Sequence, residues 1–319
     1  MSDLESITFD GSEESGSEES DRVIESRIQR LKSLEQKFKS RYFFLLKPNA
    51  HSSYKSLQQP DKECCIDLIR GYLGNLNSIE DTDIDFFKNF AYVSVNVAIN
   101  GNDINDLLPA LIDFSEKAIK KLGGNNKNLK EKEIKLKSRL LNYLGNFYHK
   151  HYTHLSKPWA PNSSNDVVFL NKSYDCYAQA AKLVDTCLED DINYAIHIHY
   201  SAAHIAGLIS EKERMNEHIN PAKKAKNNAL KHYARCLALY NLIKISSGKP
   251  LAPALVTIME KSISNTAKLT EMWSFFHNSK FKAKKGRPKY SKKNKTWDGG
   301  YNKKYRQNFE QDINDYGYK

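Results

Sequence analysis

Leu144-Gly145-Asn146-Phe147-Tyr148 is the stretch on which the fold reading turns. A glycine inside an apolar helical run costs about 1 kcal/mol against alanine, so its reason lies in packing. Without a Cβ, the backbone at Gly145 lets a neighbouring helix approach closely. The next helical segment supplies the other side of such a contact. Ser173, Tyr177 and Ala180 set small, aromatic and small side chains on one helical face. The same spacing returns at Ala229, Tyr233 and Cys236, within the run from Ala229 to Tyr240. Asp113 to Ile119 has related composition, one residue out of register.

Working outward, apolar residues recur at helical spacing along most of the chain. Ile24, Ile28, Leu31, Phe38, Tyr42 and Leu45 follow a heptad register broken only by Glu35. That register suits either an amphipathic helix packed on its own domain or a short coiled coil. Pro48 and Asn49 end it. Pro60-Asp61 opens a helix that runs through Leu73, and another near Ile84 to Ile99 is halted by Asn100-Gly101-Asn102-Asp103. A helix from Leu107 to Leu122 stops at Gly123-Gly124, and one from about Leu129 to Tyr152 precedes a polar stretch with Pro158, Pro161, Asn162 and Ser163, read as the longest internal loop. Helices near 169–188, 191–212, 220–245 and 251–277 complete the body. The period-two segment Tyr92 to Val97 sits inside a longer helical pattern. With only 14 Gly and 9 Pro in 319 residues, a sandwich or barrel is disfavoured. The predicted fold class is all-α: a helical-hairpin array, with a disordered acidic head over 1–20, a helical domain over 21–279 and a basic, aromatic-rich disordered tail over 280–319.

On the Leu-Gly-x-x-Tyr core at 144–148 and the small-aromatic-small spacings at 173–180 and 229–236, residues 84–245 resemble a tetratricopeptide-like α-solenoid. The resemblance implies stacked hairpins and a groove for peptide partners. It departs from the family in period. Those repeats recur every 34 residues, whereas Ala118, Ala180 and Cys236 lie 62 and 56 apart. Longer helices in a solenoid, or a helical bundle using the same packing chemistry, both accommodate that spacing.

Charge is unevenly placed on a chain whose net charge is +11. Residues 1–26 carry nine acids against Arg22, and residues 280–306 carry twelve bases against Asp298. Such asymmetry points to a polyanion partner. Lys284-Lys285-Gly286-Arg287-Pro288-Lys289 contains a Gly-Arg-Pro core that resembles an AT-hook. The resemblance implies an arginine lying along the narrow minor groove of A·T tracts, although Lys285 stands where a second arginine usually sits and only one copy is present. Beyond it Trp297, Tyr301 and Tyr305 interleave with Lys292, Lys293, Lys295, Lys303, Lys304 and Arg306. Cations track phosphates and aromatic faces stack on unpaired bases, so the tail also suits single strands. A nuclear import signal accounts for the same lysines. A second basic cluster, Pro221 to Lys226, reads as a solvated helical face. The acidic head, with Ser15 upstream of Glu18, reads either as a solubilising segment that never touches the basic tail or as a competitor with phosphate for it.

No site for catalysis emerges. There is no phosphate-binding glycine loop, nucleophile elbow or HExxH sequence. His197, His199 and His204 cannot all face one metal from one helix, and no cofactor is implied. The five cysteines, Cys64, Cys65, Cys176, Cys187 and Cys236, form no CxxC pair and read as reduced thiols. No apolar run is long enough to span a membrane, and the acidic start is unlike a secretory leader. The expected function is a nonenzymatic nuclear adaptor whose helical body binds a protein partner and whose tail binds DNA or RNA. The alternative is a cytoplasmic helical scaffold with a nonspecific polyanion-binding tail.

Overall fold

The computed structural model describes residues 15–42, 57–100, 104–123, 130–155, 164–187, 191–247 and 252–285. Among these residues there are nine α-helices and no strand: α1 (Ser15–Tyr42), α2 (Gln59–Asn75), α3 (Ile84–Asn100), α4 (Leu108–Lys121), α5 (Glu131–Leu155), α6 (Ser164–Val184), α7 (Ile192–Met215), α8 (Ile219–Ser247) and α9 (Pro253–Lys285). The fold is a helical repeat-like all-α array, in which most helices pack chiefly on their neighbours in sequence, while α3 packs chiefly on α5.

The heptad stripe of α1 serves the chain's own core. Leu31, Phe38 and Tyr42 are buried against α2 and α3, in an aromatic cluster with Tyr72, Phe86 and Phe90. Glu35, the residue that breaks the register, accepts a 2.9 Å hydrogen bond from Thr82, whose hydroxyl in turn receives that of Tyr72 at 2.6 Å. Arg27 fastens the same corner, donating to Asp81 at 2.8 Å and to the Asn75 carbonyl at 3.1 Å. That hydrogen bond holds the Asp81 carboxyl below its usual range. Ile24 remains 44% exposed, so the stripe runs out before the helix does. The helix itself begins at Ser15, inside the stretch expected to be disordered, because Ser, Glu and Asp are tolerated in a first turn. Leu45, Pro48 and the polar stretch near Pro158 lie outside the described residues.

Most helix stops fall where expected. Gly123 takes a left-handed φ of 93° just past α4, the conformation that glycine adopts without a Cβ penalty. The clearest departure is α9, which continues to Lys285 rather than ending near 277. Its buried stripe, Leu255, Ile258, Ser262, Asn265, Leu269 and Trp273, has the helical three- and four-residue period. Lysines and alanine are good helix formers, so Lys280 to Lys285 extend the helix without a need for burial.

The residues that decided the fold meet as paired. Ser173 Oγ donates to the Gly145 carbonyl at 2.8 Å, and a Cβ built on Gly145 would lie 3.0–3.1 Å from three ring atoms of Tyr177. The second set repeats the arrangement: Ala229, Tyr233 and Cys236 are buried with Ala195, Ile196, Tyr200 and Ala203 of α7, and Cys236 Sγ reaches the Ile196 carbonyl at 3.4 Å. Hairpins α5–α6 and α7–α8 thus each bury a small-aromatic-small face against the preceding helix. Their helices are 21 to 29 residues long, which accounts for the wide spacing of the motif.

A paired substitution follows from this contact. Gly145→Val should destabilise the protein by roughly 1–3 kcal/mol through overpacking, seen as a lower midpoint in thermal unfolding. Gly71→Ala should stabilise it by about 0.5–1 kcal/mol, because the nearest atom to the new Cβ is Leu34 Cδ2 at an ordinary 3.7 Å and alanine favours the helix. Equal midpoints for the two variants would show that the α5–α6 contact is not tight.

Candidate nucleic-acid interface

The last two helices form a distinct electrostatic layer. Between Ile219 and Lys285 there are thirteen lysines and arginines and only two acids, Glu260 and Glu271. The α8 segment contains no acid at all, so nothing in its first turn offsets the positive end of its dipole. Helices α8 and α9 run antiparallel. Asn265 donates to the Tyr233 hydroxyl at 3.1 Å, and Lys226 Nζ lies 5.2 Å from the Trp273 ring centroid. Both contacts fix the same register and bring the start of α8 beside the end of α9.

Within that layer Lys223 and Lys224 are exposed on the second turn of α8. Lys226 is half-buried, and desolvation followed by repulsion from Lys223 pushes its ammonium below the ordinary lysine value. Asp175 of α6 opposes these lysines: burial raises its pKa and Lys224 pulls it partly back. Thus cations crowd one another here, a local conflict that proteins tend to retain at functional surfaces.

Of the tail residues singled out in the sequence, Lys284 and Lys285 form the last residues of α9. Helical backbone through Lys285 differs from the disordered boundary at 280 and places the helix end directly before Gly286. Gly286, Arg287, Pro288, Lys289, Lys292, Lys293, Lys295, Trp297, Tyr301, Lys303, Lys304, Tyr305 and Arg306 lie outside the described residues. By its sequence alone, Pro221 to Lys226 reads as a solvated face. The signal that connects it to the tail is pairing: a five-residue link between α8 and α9 forces an antiparallel hairpin, which carries residue 280 back to the level of residue 219.

Other charged features are internally satisfied. An open cleft of about 390 Å³ between α3 and α5 is edged by Lys88, Lys132, Lys135 and Arg139. Lys132 pairs with Asp85 at 3.0 Å, Lys135 with Glu131 at 2.6 Å and Arg139 with Asp191 at 2.9 Å, so little free positive charge remains. Arg139 also stacks 4.4 Å from the Tyr194 ring.

Four of the ten histidines form two internal pairs. His149 and His204 face each other between α5 and α7 with ring centroids 6.3 Å apart. The Nε2 of His149 is buried with no hydrogen-bond partner. Burial pushes its pKa down to about 3 and that of His204 to about 4. His199 joins Nδ1 to Nδ1 of His232 at 2.9 Å, while its Nε2 lies 3.3 Å from Asp185. Asp185 also receives Arg235 at 2.9 Å. Burial likewise lowers His232 to about 4. No group of three His, Cys, Asp or Glu among the described residues is placed to hold a metal ion. Cys65, Cys176 and Cys236 are buried free thiols, raised above the usual thiol value by desolvation. No helix among the described residues is long and apolar enough to cross a membrane.

No family model matches the chain, and no curated protein matches it in sequence. Among solved structures, the chain is similar to a de novo designed helical repeat protein at 12% identity, over 82% of this chain and 99% of that one, with a TM-score of 0.32. Nothing about activity or partner comes with that likeness.

Proposed function

We propose that this protein is a nonenzymatic nuclear adaptor that carries nucleic acid on its basic C-terminal part and a protein partner on its helical body. The observation that supports it is the continuity of positive charge from the α8–α9 layer into the tail. Thirteen cations against two acids precede Gly286, and Arg287, Lys289, Lys292, Lys293 and Lys295 follow it. A surface so rich in lysine and arginine releases condensed counterions from a phosphate backbone, the sequence-independent source of most nucleic-acid affinity. Arg287 between Gly286 and Pro288 suits the narrow groove of A·T duplex, and Trp297 with Tyr301 suits stacking on unpaired bases. On the opposite end of α8, Leu242 and Ile245 are 53% and 83% exposed and one turn apart, apolar surface of the kind a protein partner covers.

Crosslinking in cells, followed by identification of the attached nucleic acid, tests the reading. Nuclear protein with crosslinked DNA or RNA is expected, and loss of both nuclear residence and crosslinks when residues 280–306 are removed. Cytoplasmic protein with no crosslinks would support the cytoplasmic scaffold instead.

A further inference from the structure

The geometry points to a second polyanion contact on the folded body: Lys223 and Lys224 of α8, flanked by Lys226, bind the phosphate backbone of the same nucleic acid that the tail holds. This inference rests on the nucleic-acid reading above and adds a site to it. We infer it from the placement of two basic clusters that are far apart in sequence.

The α8–α9 register carries the argument. Lys226 and Trp273 are level with each other. Seven residues along each helix in opposite sequence directions, about 10.5 Å at 1.5 Å per residue, bring Ile219 and the backbone of Lys280 level as well. Lys223 then stands about 4.5 Å past Lys226 toward that end, and the backbone of Lys285 about 18 Å past Trp273. With packed helix axes 8–10 Å apart, the α8 lysines and the end of α9 fall within roughly 20 Å of each other. Arg287 is two residues past Lys285, so chain length alone confines it to about 7 Å from the helix end. Duplex DNA presents a charge about every 1.7 Å along its axis. A duplex gripped at Arg287 therefore sets phosphates against this end of the body.

Chemistry agrees with position. Lys223 and Lys224 are exposed and sit on a helix without a single acid, and Lys224 acts on the Asp175 carboxyl of α6. Lys226 supports them differently, with its ammonium laid over Trp273. It spaces the two helices while keeping its charge at the edge. Crowded lysines at the positive end of a helix weaken the fold slightly, and a phosphate relieves that conflict.

The test uses the full chain with both lysines replaced, Lys223→Ala with Lys224→Ala, titrated with a labelled A·T-rich duplex and with a single strand of the same length across a salt series. A second variant, Lys32→Ala with Lys37→Ala on exposed α1 positions, removes equal charge elsewhere. Each lost duplex phosphate contact reduces the slope of log affinity against log salt by about 0.9. The expected result is a duplex slope reduced by roughly 1.8 and affinity at least tenfold lower at 0.1 M salt for the α8 variant only. If the single strand alone shows the loss, the ligand is a single strand held by the same lysines. Wild-type slopes in the α8 variant, with intact wild-type binding, overturn this second contact alone. Equal losses in both variants would also overturn it, as a bulk-charge effect. No binding by the unmodified chain, or binding only to vesicles of anionic lipid, would overturn the nucleic-acid reading itself.

Discussion

Acidification from pH 7 to pH 5 is expected to remove several kcal/mol of stability from the helical array. The cause is three neutral histidines whose pKa values fall from 6.5 to about 3 for His149 and to about 4 for His204 and His232. Desolvation is the first cause in each case. Repulsion adds to it, from His204 and Lys150 at His149, from Lys261 at His204, and from His199 and Lys231 at His232, where Asp185 opposes it. In the unfolded chain each histidine binds a proton near pH 6.5, whereas in the folded chain it stays neutral. Over that interval the unfolded state holds more protons, so stability rises with pH. Their contribution is complete above about 6.5 and declines as pH falls toward the folded values. Each site costs up to about 1.4 kcal/mol per pH unit within the window, or roughly 4–6 kcal/mol for the three by pH 5. Denaturant unfolding at pH 7, 6 and 5 measures it, and His149→Phe should flatten the curve. Stability that stays level from pH 7 to pH 5 would contradict the burial of these rings.

Binding to A·T-rich duplex should collapse with salt. Residues 280–306 carry twelve bases against Asp298, and the α8 lysines add to them. With six to ten of these cations at phosphates, affinity falls by about 10³–10⁵ between 50 and 200 mM salt. An Arg287→Ala variant separates groove reading from bulk charge: it should lose duplex affinity more than single-strand affinity, since only the duplex offers a narrow groove. Fluorescence anisotropy over a salt series reads both effects. A slope near zero would mean that the contact is not electrostatic.

Local pattern made the fold legible, and long-range pairing limited the reading of the site. Gly145 against Tyr177, and the return of the small-aromatic-small spacing around Tyr233, were readable because small residues and one large ring leave a fixed spacing on their helices. The heptad of α1 was readable as amphipathic. Its partner became clear only in three dimensions, where Phe38 packs on Phe86 and Phe90 and Glu35 meets Thr82. The end of α9 was misplaced by eight residues because loss of apolar period marks the end of burial rather than the end of a helix. Lys223 and Lys224 looked like solvated surface since nothing local says that residue 280 returns beside residue 219. The His199–His232 pair was hidden for the same reason: its two rings lie 33 positions apart on different helices.

The central claim, that the basic C-terminal part carries nucleic acid, is met most directly by one comparison of affinities. The intact chain and a chain ending at Ser279 are titrated with the same A·T-rich duplex in 50 mM salt. Since Trp273 is the last described residue of α9 that is buried, the shortened chain should keep its helicity and unfold within a few degrees of the intact one. The expected result is a loss of affinity of at least a hundredfold in a folded, shortened protein. Equal affinities of the two chains, or no measurable binding by the intact one, would contradict the claim.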